Sequence, residues 1–279
     1  MSRPETPLVA VLTTLYKGDA VSFAEIALKS LRDQTYPSER INVYLYVDGP
    51  VGPDHLALIE RWKPLLHRVV WGEVNHGLTH GLNTLLNLVQ DEDYFVRMDL
   101  DDVSLPTRVA QQVAFMEAHP EIDLLGCNSS EINESGTVLY ERSYPETHDS
   151  IVGRLARCNP MLHPTYCIRG STWRRDSINY RSLYLNEDLG FLFDVAQKGW
   201  RLHNLQERLF QWRTGKSFFG RRKFRRSLVE LETYLAGVWA IWGLTPRLLW
   251  PFARFTSRLM PAPVAKFMYR STLRNRLLG

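Results

Sequence analysis

The chain has 279 residues, which is enough for one large α/β domain and an appendage. Hydrophobic residues make up 44% and charged residues 23%, a composition that excludes disordered and collagen-like chains. The net charge is +4, and the three cysteines have no CxxC spacing, so we expect no disulfide scaffold and a reducing compartment. The N-terminal apolar run is too short for a secretory signal, and no stretch reaches the ~18 apolar residues of a membrane-spanning helix.

Strand-like segments alternate with helical patterns through the first half of the chain. Strands are predicted at 8–16, 41–49, 67–73, 94–100 and 122–132, and helices at 23–35, 55–66, 78–90 and 106–119, the last with Pro106 in its first turn. Further strands are predicted at 165–170 and 203–212, and a helix at 185–200 that ends at Gly199. This alternation predicts parallel βαβ units with right-handed crossovers.

The segment RMDLDD, residues 97–102, ends an apolar strand with three carboxylates. On an extended segment, Asp99 and Asp101 would lie on one face, where only a cation between them relieves their repulsion. Mg²⁺ and Mn²⁺ prefer such oxygen ligands and keep positions open for substrate phosphates. The alternative is a solvated turn in which Asp102 or Ser104 caps the next helix.

Polar residues also follow the neighbouring strands. Ligands bind at the carboxyl ends of parallel strands, so Thr13, Thr14, Asp48 and Asn75 are candidates for the same site. Each also has an ordinary interpretation, such as an Asp-Gly turn at Asp48.

The C-terminal segment is strongly basic. Residues 213–279 hold 14 of the 34 Lys and Arg but only two of the 30 acids, and Trp, Phe and Leu are interleaved with the arginines. This pattern is typical of interfacial helices on anionic membranes, and nucleic acid is the rival partner for such a basic, aromatic stretch. The alternative is a helical cap packed on the body.

Several stretches together resemble the family 2 glycosyltransferases of the GT-A fold, in particular bacterial exopolysaccharide and O-antigen members. They are, in order, VAVLTTLYKGD, SLRDQTYP, YVDGP, NHGLTHGLN, RMDLDDVSLPTR, NPMLHPTYCIRGS and NED. The resemblance covers about residues 7–215. It implies a Rossmann-like, mostly parallel sheet flanked by helices over 1–215, with a nucleotide-binding half (1–102), an acceptor half (103–215) and a basic amphipathic helical tail (216–279).

The resemblance also implies a nucleotide-diphosphate sugar as donor. Asp101 would ligate the metal that bridges the two phosphates, Asp99 would contact the ribose or the metal, and Arg97 would hold the acids or a phosphate. Thr13, Thr14 and Tyr16 would cradle the nucleotide, and Asp48 would contact the base, often uracil, although VDGP stands where many relatives read VDD. Asn75, Gly77 and Gly81 of NHGLTHGLN would approach the donor closely.

Two further elements would carry the chemistry. Inverting transfer needs a carboxylate that takes the proton of the acceptor hydroxyl, and the resemblance assigns this role to Asp188, with Glu187 supporting it. Acids at a helix start are also favoured by the helix dipole alone. His163 would touch the metal, the diphosphate or the acceptor, or serve as a hydrogen-bonded structural residue.

The sequence therefore predicts an inverting glycosyltransferase that depends on Mn²⁺ or Mg²⁺. It would use a UDP-sugar and a lipid-linked saccharide acceptor in surface polysaccharide synthesis. Because the resemblance implies such an acceptor, we favour an anionic membrane over nucleic acid as the partner of residues 213–279. The protein would be cytoplasmic and peripheral on the inner face of the cell membrane. Two alternatives remain open: a sugar-phosphate nucleotidyltransferase and a catalytically silent membrane adaptor on the same fold.

Overall fold

The computed structural model describes residues 6–214 and 224–259. Its strands are β1 Val9–Leu15, β2 Ile41–Val47, β3 Leu66–Trp71, β4 Tyr94–Arg97, β5 Val103–Ser104, β6 Leu124–Ile132, β7 Val138–Arg142, β8 Cys167–Arg169 and β9 Leu202–Arg213. Its α-helices are α1 Val21–Arg32, α2 Pro53–Trp62, α3 Leu78–Leu88, α4 Arg108–Ala118, α5 His148–Leu155, α6 Gly170–Asp176, α7 Glu187–Gln197, α8 Phe224–Trp242 and α9 Leu249–Leu259.

One continuous sheet organises the body. Its strand order is β3-β2-β1-β4-β8-β6-β9-β5, and β7 pairs with β6. Strands β3, β2, β1 and β4 are parallel, as are β6 and β9, whereas β8 runs antiparallel between β4 and β6. The predicted α/β fold with flanking helices is therefore confirmed, and the two expected halves share one sheet.

The core lies on both faces of this sheet. Val9 and Val11 of β1 belong to one buried cluster with Leu28 of α1, and Ala10 and Leu12 belong to a second cluster on the other face. A strand buried on both sides reads as a continuous apolar run, which is why the β1 segment was recognisable in the sequence.

Several predicted element boundaries differ from the structure by up to four residues, and two of these differences lie around the acidic segment. The strand predicted at 94–100 ends at Arg97, and the backbone N–H of Asp102 donates to the carbonyl of Asp99 (3.3 Å), so the acidic segment forms a turn. Helix α4 begins at Arg108, because the Pro106 carbonyl accepts a hydrogen bond from the Thr35 N–H (2.8 Å) and the chain there is tied to the end of α1.

The described part of the basic segment is a helical hairpin packed on the body. Gly237 of α8 lies so close to the Phe193 ring of α7 that a Cβ there would be 2.2 Å from it. The buried carboxylate of Glu230 accepts a hydrogen bond from Arg254 of α9 (2.9 Å). Within the described ranges, no helix combines the length and apolar character needed to cross a bilayer. Residues 215–223 and 260–279, most of which belong to the predicted tail, lie outside the described residues.

Candidate active site

A cleft opens at the carboxyl ends of β1, β2 and β4. Its volume is about 290 Å³. Seven of the residues predicted from the sequence line it: Thr14, Tyr16, Asp48, Asn75, Gly77, Asp99 and Asp101. Asp19, which the sequence analysis did not select, lines it as well.

Three carboxylates converge in the turn after β4. One oxygen from each of Asp99, Asp101 and Asp102 lies within 4.8 Å of the others. Asp102 is buried; its Oδ1 accepts a hydrogen bond from the Arg213 N–H (2.7 Å), and no described group bonds to its Oδ2. Asp99 forms an ion pair with the buried guanidinium of Arg97. A free buried oxygen beside two further carboxylates is a donor set that suits Mg²⁺ or Mn²⁺.

The electrostatics of this cluster are unfavourable without a cation. Burial and the neighbouring charge of Asp99 raise the pKa of Asp101 to about 6. Burial and the charge of Asp101 raise the pKa of Asp102 well above its usual range. Burial, followed by the charges of Asp101 and Asp99, raises the pKa of Asp19 to about 7. Acids whose ionised forms are destabilised together are expected where a ligand supplies the missing positive charge.

Asp19 is held at the end of β1 by a local turn. Its Oδ2 accepts a hydrogen bond from the Tyr16 N–H (2.9 Å), and its carbonyl oxygen lies 2.9 Å from Nε2 of His55. The only sequence signal is an acid four residues beyond the end of β1, which is common in turns.

The side chain of Asp48, which follows β2, binds the loop between β3 and α3. Its two carboxylate oxygens accept hydrogen bonds from the backbone N–H groups of His76 and Gly77, both at 2.8 Å. The Asn75 amide donates to the Asp48 carbonyl (3.2 Å). Gly49 has a φ of +82°, and a Cβ there would lie 2.6 Å from the Asn75 nitrogen. This close approach explains why glycine follows Asp48 in VDGP, where many relatives have the second aspartate of VDD. The base contact expected of Asp48 stays a prediction.

Three predicted donor residues, Thr13, Gly81 and Arg97, are absent from the lining of the cleft. Gly81 is buried in α3, where a Cβ would be 2.7 Å from the Tyr46 ring and 3.0 Å from Cγ2 of Thr14. Thr13 is fully buried in β1. Close packing of α3 on the sheet explains Gly81, and donor binding by these residues stays a prediction.

The predicted catalytic pair begins α7. Oδ2 of Asp188 accepts a hydrogen bond from the Asn159 amide (2.7 Å). Burial raises the pKa of both Glu187 and Asp188, and the charges of Arg97 and Arg226 oppose that rise. A carboxylate with a raised pKa is a stronger base once ionised. Asn159 lies within NPMLHPTYCIRGS and Arg226 within the basic segment, but the sequence alone predicts no role for either side chain.

His163 lies behind the cleft. It is buried, its Nε2 is 2.9 Å from the Tyr180 hydroxyl, and burial lowers its pKa well below the usual range. It contributes no atom to the carboxylate cluster found among the described residues, so its metal role stays a prediction. Arg97 is also buried, and its Nε and Nη1 have no hydrogen-bond partner in the described chain.

An α/β sheet with an acidic turn after its fourth strand and a carboxylate pair in the first turn of α7 is the arrangement of a glycosyltransferase of the GT-A fold. The family model for glycosyl transferase family 2 matches residues 13–181, and the chain belongs to that family.

Two curated relatives have named roles in bacterial polysaccharide synthesis. The amylovoran biosynthesis glycosyltransferase AmsE of Erwinia amylovora is 30% identical over 271 residues, which is 94% of this chain and 98% of that protein. The O-antigen biosynthesis glycosyltransferase WbnJ of Escherichia coli is 26% identical over 57% of this chain and 60% of its own.

Solved structures show the same fold at low sequence identity. S. aureus TarS 1–349 in complex with UDP-GlcNAc matches with a TM-score of 0.68 and 16% identity, over 96% of this chain and 77% of that one. The mannosyltransferase PcManGT of Pyrobaculum calidifontis, in complex with GDP-Man and Mn²⁺, matches with a TM-score of 0.62 and 16% identity, over 98% and 84% of the two chains.

Proposed function

We propose that the protein transfers a sugar from a nucleotide-diphosphate donor, with a UDP-sugar favoured, to a hydroxyl group of a growing surface polysaccharide. The observation that carries this proposal is the carboxylate cluster of Asp99, Asp101 and Asp102, of which Asp99 and Asp101 line the cleft at the carboxyl ends of the strands. The neighbours in complex with UDP-GlcNAc and with GDP-Man and Mn²⁺ support a nucleotide-sugar donor on this fold.

Asp99, Asp101 and Asp102 would hold Mn²⁺ or Mg²⁺. When bound, the ion neutralises the charge of the departing diphosphate. The guanidinium of Arg97 adds positive charge beside the same cluster. It is buried, it forms an ion pair with Asp99, and two of its nitrogens have no hydrogen-bond partner among the described residues. Tyr16, Asp48 and Asn75 lie farther along the cleft, at the strand ends where the nucleoside would fit.

The transfer is a single displacement with inversion. Asp188 removes the proton of the acceptor hydroxyl while that oxygen bonds to the anomeric carbon. The bond from the anomeric carbon to the phosphate oxygen breaks, and its electron pair leaves with the nucleoside diphosphate. The amide of Asn159 donates a hydrogen bond to Asp188 and so orients it. Glu187, the residue before Asp188 in the first turn of α7, supports Asp188 in this role.

The acceptor we propose is a lipid-linked saccharide at the inner face of the cell membrane, with the protein cytoplasmic and peripheral. Two observations support it. The named relatives build amylovoran and O-antigen, and the helical hairpin exposes large apolar side chains beside a basic segment. The exposed fraction is 86% at Leu244, 70% at Leu249, 58% at Trp239 and 50% at Phe252.

Calorimetric titration of UDP tests the donor site. We expect binding in Mn²⁺ that is lost in EDTA and lost in Asp101→Ala, whereas the exposed Asp33→Ala retains it. GDP serves as the competing nucleotide, and stronger binding of GDP would change the donor while keeping the enzyme class. Failure of both nucleotides to bind the folded wild-type protein in Mn²⁺ would contradict the proposed function.

A further inference from the structure

Arg213, the last residue of β9, connects residues 99–102, which we call the acid turn, to a second turn of the chain. Its side chain is buried, and its Nε donates a hydrogen bond to the carbonyl of Asp101 (2.8 Å). Its Nη1 donates to the carbonyls of Asn133 (2.9 Å) and Glu134 (3.0 Å), which lie in the turn between β6 and β7. One guanidinium therefore joins the acid turn to the β6–β7 turn.

Further contacts fix Arg213 itself. Its backbone N–H donates to Oδ1 of Asp102 (2.7 Å), and its backbone lies opposite Ile132 in the pairing of β9 with β6. The centre of its guanidinium lies 4.4 Å from the centre of the Phe23 ring in α1, a distance at which the cation and the ring attract each other. The side chain is thus held between the sheet, α1 and two turns.

The hydrogen bonds of Arg213 depend on the shape of its guanidinium. Each of those that it donates to the described residues from this group ends on a backbone carbonyl oxygen, and none ends on a carboxylate. A guanidinium presents five N–H donors in a fixed planar fork, whereas the ammonium of lysine is a compact charge that cannot reach several separate carbonyls in this way.

Arg213 also contributes charge to the site. Burial and the charge of Asp99 raise the pKa of Asp101 to about 6, and the charges of Arg97 and Arg213 oppose that rise. Arg213 therefore has two separable effects on the cluster of acids, one through its charge and one through the shape it gives to the acid turn.

We infer that Arg213 is a positioning residue for the divalent ion, because it holds the acid turn in the shape that brings the three carboxylates together before the ion binds. A turn that is already ordered costs the ion less free energy on binding. Residues that orient metal ligands in this way have large effects on metal affinity. The inference rests on the proposed function and adds a residue to its metal site, 111 positions beyond Asp102 in the chain.

The two effects of Arg213 predict opposite changes in metal affinity. A positive charge beside the acids repels a divalent cation, so through charge alone Arg213→Gln would bind Mn²⁺ more tightly than the wild type. Through the shape of the acid turn, the same substitution frees the Asp101 carbonyl from the β6–β7 turn, and Mn²⁺ binds more weakly. Arg213→Lys keeps the charge and removes the fork, so it isolates the second effect.

Titration of Mn²⁺ into the full chain without nucleotide, followed by the electron paramagnetic resonance signal of the free ion, tests the inference. We expect Arg213→Gln and Arg213→Lys each to weaken Mn²⁺ binding by about ten-fold. Phe23→Leu, which leaves Arg213 in place and removes the ring beneath it, should weaken binding by about three-fold. Arg208→Gln is the matched control on β9, where the exposed Arg208 pairs with Glu141, and it should change affinity less than two-fold.

A kinetic measurement separates positioning from general damage to the fold. In a UDP-release assay, the Mn²⁺ concentration that gives half the maximal rate should rise about ten-fold in Arg213→Lys, while kcat at saturating Mn²⁺ returns to about the wild-type value. A general loss of structure would lower kcat at every Mn²⁺ concentration.

Unchanged or tighter Mn²⁺ binding in Arg213→Gln would overturn the inference, and so would wild-type affinity in Arg213→Lys. If neither Arg213 variant folds, equal Mn²⁺ affinities in Phe23→Leu and the wild type would overturn it instead. The outcome in the wild type distinguishes the two proposals. A folded wild-type protein that binds no Mn²⁺ refutes the metal site of the proposed function, whereas wild-type binding with unchanged variants refutes the role of Arg213 alone.

Discussion

Replacing Asp19 with asparagine should stabilise the metal-free protein. The asparagine oxygen can still accept the hydrogen bond from the Tyr16 N–H, so the change removes charge and little else. The rise in the Asp19 pKa from 3.8 to about 7 corresponds to roughly 4 kcal/mol of destabilisation when the carboxylate is ionised. Because Asp19 is only partly buried, solvent screening reduces this to about 2 kcal/mol. For a chain of this length, that gain raises Tm by about 4 °C.

The stability gained by Asp19→Asn should be larger at high pH than at low pH. Because the pKa of Asp19 is raised in the folded state, ionisation of this carboxyl group lowers the free energy of unfolding. The wild-type protein therefore keeps its full stability below the unfolded pKa of 3.8 and loses stability as the pH rises through about 7. Thermal melts in EDTA should therefore show the full advantage of Asp19→Asn at pH 8 and a smaller one at pH 5.

The exposed Asp33, which pairs with Arg32, provides a control of opposite sign. Asp33→Asn should give no gain at pH 8. An equal Tm for Asp19→Asn and wild type at pH 8, or the same difference at both pH values, would refute the electrostatic account of the cleft.

Three other substitutions test separate parts of the site. Asp188→Asn should lower kcat/KM on the order of 10³-fold in a UDP-release assay while UDP binding is retained. Because burial raises the pKa of Asp188, wild-type activity should fall as the pH drops through that raised value. The same fall of activity at low pH in the variant would contradict the role of Asp188 as base. Gly81→Val should cost about 2 kcal/mol in a denaturant melt, since its Cβ meets the Tyr46 ring, and an unchanged midpoint would contradict the packing role. Gly49→Ala should weaken UDP binding by displacing Asn75, which calorimetry would detect, and unchanged affinity would show that the loop tolerates the side chain.

The first four strands and three helices were predictable from the sequence because the strands are mostly continuous apolar runs, the helices have apolar residues at helical spacing, and each element is followed by its own turn. β1 is apolar on both faces, and α3 places Leu82, Leu85 and Leu86 on one buried side. Parallel topology then brings the ends of these strands to one edge of the sheet, so residues far apart in sequence, such as Thr14, Asp48 and Asp99, could be predicted to meet.

The remainder depended on long-range contacts that no local pattern records. β5 is only two residues long and exists through its pairing with β9, whereas the strand predicted at 165–170 is confirmed as the three-residue β8. Asp19 gains its significance from Asp99 and Asp101, which follow 80 residues later in the chain. The strand predicted at 94–100 includes Asp99 because apolar residues precede it, whereas the structure forms a turn there. The alternative in which Asp102 or Ser104 caps the next helix is wrong, because Thr107 is the N-cap residue of α4 and Asp102 accepts a hydrogen bond from the Arg213 N–H.

The position of β8 has a consequence for folding. β4 is synthesised early, but β8, its partner on one side, begins at Cys167. β6 pairs with β8, so it cannot join the sheet beside β4 until β8 lies between these two strands. During synthesis, the nascent N-terminal part therefore carries an open strand edge for about 70 residues of further elongation, a length that follows from the interval between β4 and β8. Pairing across such intervals is slow, so the completed sheet should form late and as one cooperative unit, and a fragment that stops before residue 167 should be prone to aggregation.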